Sequence, residues 1–141
     1  MPVELLVILA ASKAPDWSSW NQALWEAHVP ASLARSVDLQ RHNGFLPVRV
    51  QGHATGFYFL VESASDVALQ YPALANVPLS KPVVYSLSYG VHPEECAAVF
   101  LSASVLVSRF QGVVFDPQQG ALLSLEQVND GARQCLSLVP K

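Results

Sequence analysis

From Val3 to Ala10 every position but Glu4 is apolar. This is the pattern of a strand central in a sheet or covered on both faces. Pro15 and Asp16 then open a helix, with Asp16 as its N-cap. Between Asp16 and His28 the residues Trp17, Trp20, Leu24 and Ala27 fall on one stripe at helical spacing, Trp25 sits at its edge, and Pro30 marks the end. The prediction is an amphipathic helix laid on a sheet.

Alternation takes over afterwards. A short strand is expected over 36–40, and clearer ones over Phe45–Val50 and Gly56–Glu62, where aromatic and β-branched residues concentrate. Gln51 to Thr55 would form the loop of this hairpin, eased by Gly52 and Gly56. Phe57, Phe59 and Val61 then share one face, and Tyr58 and Leu60 the other. Pro47 points to an edge position or a bulge. Two helical turns are expected over 65–71, broken by Pro72, Pro78 and Pro82, before a further strand from Pro82 to Tyr89.

The strongest helical signal begins at Pro93, a residue suited to a first turn, with Glu94 and Glu95 at the positive end of the dipole. Cys96, Val99, Phe100, Ala103, Val107 and Phe110 make its stripe, and Arg109 and Gly112 its stop signals. No charge occurs between Cys96 and Ser108, so this helix is central or its outer face is an interface. A short strand to Phe115, a turn over Asp116–Gly120 and a return strand at 121–123 follow. Ser124 to Gln127 has a capping-box pattern that starts a last helix. Gly131 inside it costs about 1 kcal/mol relative to Ala, which implies a bend or a close approach. The order of elements predicts an α+β fold: a mostly antiparallel sheet with helices packed on one face, specifically a ferredoxin-like core with additions.

Length and composition narrow the class. The 141 residues suit a single domain spanning 1–141. At 51% apolar and 13% charged the chain is globular and short of surface charge, so apolar surface is expected to remain for a partner or a second copy to cover. The net charge is −3, with eight Lys and Arg scattered along the chain. Counterion release needs clustered cations, so no nucleic acid is expected as partner. No run reaches the ~18 apolar residues of a spanning helix, so no membrane is expected either. Glu4 and Lys13 bracket the first apolar run against the secretory pattern, and a cytoplasmic protein with Cys96 and Cys135 reduced is the expectation.

Candidate chemistry is sparse. His92 and Cys96 are four apart, but zinc needs three or four ligands and no second pair has the spacing; a capping His92 and a core Cys96 are the simpler reading. Gly-x-Ser-x-Gly and the phosphate-binding glycine motifs do not occur. The expectation is a non-enzyme without metal or cofactor. Residues taken as partner contacts are Trp25, Tyr58, Tyr89, Glu94 and Asp116, with an exposed Trp25 the sharpest as an interface anchor.

Three stretches together carry a resemblance: Trp20-Asn21-Gln22-Ala23-Leu24; Gly44-Phe45-Leu46-Pro47-Val48 followed by Thr55-Gly56-Phe57; and Gly112 to Gly120 followed by Ser124. They resemble small bacterial immunity-type proteins that neutralise toxins passed between competing bacteria. The resemblance implies a non-catalytic binder of a cognate toxin acting in the cytosol. Tyr58 stands where that group carries an acidic residue. The alternative is a small-molecule binder or enzyme with a cleft between sheet and helices, around His53, Tyr85 and Tyr89. Homodimerisation is compatible with the first reading.

Overall fold

A computed structural model describes residues 3–140. Its elements are β1 (Val3–Ala10), α1 (Trp17–Glu26), β2 (Ala31–Leu33), β3 (Gly44–Val50), β4 (His53–Ser63), α2 (Ala64–Gln70), a 3-10 helix (Pro72–Asn76), β5 (Pro82–Tyr89), α3 (Pro93–Phe110), β6 (Val113–Asp116), β7 (Ala121–Leu123) and α4 (Leu125–Ser137). The fold is α+β. One sheet takes the order β2-β3-β4-β5-β1-β6-β7, with every pairing antiparallel. Within it β1, α1, β4, β5, α3 and β6 follow the βαββαβ order of a ferredoxin-like core. The other elements are additions.

Register assigns the faces. Leu5, Val7, Leu9, Leu46, Val48, Val50, Phe57, Phe59, Tyr85, Leu87 and Val114 form the inner face, buried with Trp20, Leu24 and all of Ala97–Leu106 except the half-buried Phe100 from the helices. Helix α3, uncharged between Cys96 and Ser108, is therefore central, flanked by α1 and α4. Trp20 stacks near Phe57, Phe59 and Tyr85, and its indole Nε1 donates to Ser102 O at 3.1 Å. At the other end Gly131 lies under Phe100: a Cβ there would stand 2.5 Å from the ring. Close approach, not a bend, explains this glycine.

The helix ends follow their signals with two differences. Asp16 accepts from Ser19 N at 2.8 Å, and Ser124 and Gln127 complete the capping box. His92 occupies the N-cap of α3 without a side-chain cap bond; Glu95 reaches back instead, accepting from Gly90 N at 2.7 Å. The left-handed stop residue is Gln111, at φ 60°, not Gly112. Gly112 is needed for contact, since a Cβ there would meet Leu106 O and Val7 at 2.9 Å.

Other expectations need correction. Residues 36–40 form no strand. Asp38 Oδ1 accepts from Gln40 N and its carbonyl from Arg41 and His42 N, so the segment closes into a turn, and β2 forms earlier. The β3–β4 loop is two residues, not five. Gln51 and Gly52 are both left-handed, as a tight primed hairpin turn requires. Pro47 does no harm within β3: its carbonyl accepts from Ala34 N, so its nitrogen also faces away from β4. Cys96 and Cys135 are not free thiols. They form a disulfide with Cα atoms 5.7 Å apart, because the first turn of α3 and the last turns of α4 lie side by side. No helix among the described residues is long and apolar enough to cross a membrane.

Candidate functional site: the uncovered half of the sheet

The outer face of the sheet is only half covered. Leu6, Ile8, Val84 and Phe115 lie beneath α2 and the 3-10 helix, packed against Val67 and Leu74. Beyond that strap a row crosses four strands in register: Phe45, Tyr58, Ser88 and Glu4. Tyr58 is 63% and Phe45 45% exposed, and their rings meet edge to face with centroids 5.8 Å apart. The next row brings Leu60 and Ser86, and at the far edge Leu122, which is also exposed.

Local sequence fixes this aromatic pair. Gly56 follows the inner-face Thr55 and points outward beneath Phe45; an added Cβ would stand 2.6 Å from the ring's Cζ and also strike Leu46 O. A bare glycine lets the ring lie flat on the strand, a known way to shield such a position. His42 Nε2 lies 2.8 Å from Phe45 O and steadies the strand start.

Near the aromatics are two carboxylates, Glu4 and Glu62. Ser86, itself buried, donates to Glu4 Oε2 at 2.6 Å. Glu62, two rows on from Tyr58 and level with the strap-covered Val84, has its pKa raised from the ordinary value by burial first and by the charge of Glu4 second. The ion pairs among the described residues are Arg41–Asp38, Arg109–Glu26 and Arg133–Asp130, so among these residues no cation pairs with Glu4 or Glu62.

The five expected contact residues are dispersed. Tyr58 stands in the patch. Trp25, 76% exposed, belongs to the helix layer on the other side of the sheet, above a cleft with Arg49 and His28. Glu94 is half-buried in the first turn of α3. Tyr89 packs edge-on against Phe100, and burial, then the charge of Asp116, raises its hydroxyl pKa. Asp116 is 8% exposed; its Oδ1 accepts from Gln118 N at 2.9 Å, closing the turn into β7. Sequence reasoning missed Phe45, Glu4 and Glu62. The alternation at Phe57–Val61 put Leu60 and Tyr58 outward, and extending it through the hairpin partners would have found Phe45 and Glu62.

The residues of the alternative cleft do not converge. His53 Nε2 lies 2.8 Å from Pro140 O, at the opposite end of β4 from Val61, the register partner of Tyr85. Tyr85 donates to Pro15 O at 2.9 Å, and burial followed by the charge of Asp16 pushes its pKa up to about 12. Among the described residues no group of three His, Cys, Asp or Glu is placed to hold a metal ion. Compared with known proteins, the chain matches no family model, no curated protein and no solved structure.

Proposed function

We propose that this chain is a non-catalytic protein-binding module whose partner docks on the uncovered half of the sheet. The observation that supports this reading is the patch itself: an exposed aromatic pair with Glu4 in its row and Glu62 two rows on, neither carboxylate paired with a cation among the described residues. Aromatic anchors next to desolvated charge are what dominate binding energy at interfaces. A partner would bring apolar side chains for Phe45 and Tyr58 and a Lys or Arg for Glu4 and Glu62. A second copy fits this face poorly, because symmetry would bring acidic groups against acidic groups.

The resemblance to immunity-type proteins supplies the partner class: a bacterial toxin, met in the cytosol and neutralised by masking. The test is co-expression with the product of the adjacent reading frame. Rescue from toxicity and co-purification are expected, both lost in Tyr58→Ala and Glu62→Lys and both kept in Trp25→Ala. Unchanged rescue by the first two variants, or no protection from any neighbouring product, would reject the reading.

A further inference from the structure

The C-terminal end of the chain is fastened at two points. Cys135, in the last turns of α4, is bonded to Cys96 in the first turn of α3. Five residues later the carbonyl of Pro140 lies 2.8 Å from His53 Nε2, at the start of β4 and directly after the β3–β4 turn. Between the two, Val139 is buried with the inner-face core. The bond and the hairpin contact thus hold one short segment.

That segment depends on the bond. The buried positions of α4 are Val128, Ala132 and Cys135, so the bonded cysteine is the last anchor of the helix. Beyond it Ser137, Leu138 and Pro140 are exposed, and the amides of Leu138 and Val139 donate locally, to Cys135 O and Leu136 O. A terminal turn with few buried contacts lies at the low-stability end of a fold. Upstream, the capping box and the close approach of Gly131 to Phe100 hold α4 without the bond.

The bond is also within reach. Cys96 is half-buried at a surface groove beside Val91 and Leu138, which are 87% and 70% exposed, whereas Cys135 is 6% exposed. An external thiolate therefore attacks Sγ of Cys96 and the Cys135 thiolate leaves. A monothiol is expelled again by the neighbouring Cys135. A dithiol completes the exchange, because its second sulfur displaces Cys96. The dithiol is oxidised to a disulfide, and Cys96 and Cys135 take up its two electrons and two protons as thiols.

We infer that the Cys96–Cys135 bond is a redox latch on the C-terminal segment, opened by a dithiol, and that opening it loosens the β3–β4 hairpin through His53. Its consequence for binding rests on the docking reading above, since Phe45 and Tyr58 stand on that hairpin. A loosened hairpin must be ordered on binding, so the reduced chain binds more weakly.

Amide relaxation and chemical shifts of the isotope-labelled full chain, with and without dithiothreitol, test it. Reduction should leave a folded chain in which residues 136–140 become mobile, with shift changes around Cys96 and at residues 51–55. Cys96→Ser with Cys135→Ser should reproduce that state without dithiothreitol. In His53→Ala the segment should still come loose on reduction, but residues 51–55 should no longer respond. A partner identified by co-expression should bind the reduced chain roughly threefold to tenfold more weakly, the cost of ordering about one side chain. No binding by the oxidised chain would reject the docking reading and leave the latch to the relaxation data. Residues 136–140 equally rigid in both states, an unresponsive hairpin, unfolding of the whole chain on reduction, or equal partner affinity in both states would overturn the inference.

Discussion

Gly131→Ala sets two effects of opposite sign against each other. Alanine is favoured over glycine inside a helix by about 1 kcal/mol, and α4 would gain it. The added Cβ, however, would lie 2.5 and 2.6 Å from two carbons of the Phe100 ring, far inside contact distance. Phe100 is braced on its other side by Tyr89, with ring centroids 6.3 Å apart. Overpacking of this kind costs roughly 1–3 kcal/mol, and the half-buried ring relieves part of that by shifting toward solvent. The clash wins, and Gly131→Ala should destabilise by about 0.5–2 kcal/mol in urea unfolding. In a Phe100→Ala background the obstacle is gone. There the same substitution should stabilise by about 1 kcal/mol, giving a coupling on the order of 1.5–3 kcal/mol across the double-mutant cycle. A stabilising Gly131→Ala in the parent chain, with coupling near zero, would refute the reasoning.

Two further outcomes are expected. Opening the Cys96–Cys135 bridge, by dithiothreitol or by Cys96→Ser with Cys135→Ser, releases a link across 39 residues and should cost roughly 3–4 kcal/mol by loop entropy; coincident urea curves with and without reductant would contradict it. Glu62 keeps its proton to a higher pH in the fold than the ordinary 4.5, so the folded state binds more protons in that window and stability falls as pH rises through it. Glu62→Gln should remove that fall and leave the protein more stable at pH 7, whereas an unchanged pH profile would count against the buried, like-charged setting.

Where a local signal has one physical meaning, the sequence was legible. The run at Val3–Ala10, the cap at Asp16, the capping box at Ser124 and the uncharged stretch after Cys96 each specify an element and its burial, and the structure follows them. Failures came where tertiary partners decide. Ala31–Leu33 is too short to announce a strand and exists because β3 offers an edge; Asn21 Oδ1 takes its outward Leu33 N–H at 2.8 Å. The cysteines gave no pairing signal because their contact depends on the α3–α4 packing. Most of the candidate site was hidden for the same reason. Phe45, Tyr58 and Glu4 come from three strands, and only register puts them in one row. Which part of the sheet the strap covers is visible only once the sheet beneath it is known.

The most direct measurement is an amide chemical-shift map of the isotope-labelled chain as the adjacent gene's product is added. Perturbations should gather on β3, β4 and β5 around Phe45, Tyr58, Leu60 and Ser88 and at Glu4. A map centred on Trp25 and the exposed side of α1, with the outer sheet unaffected, would show that the partner uses a different surface.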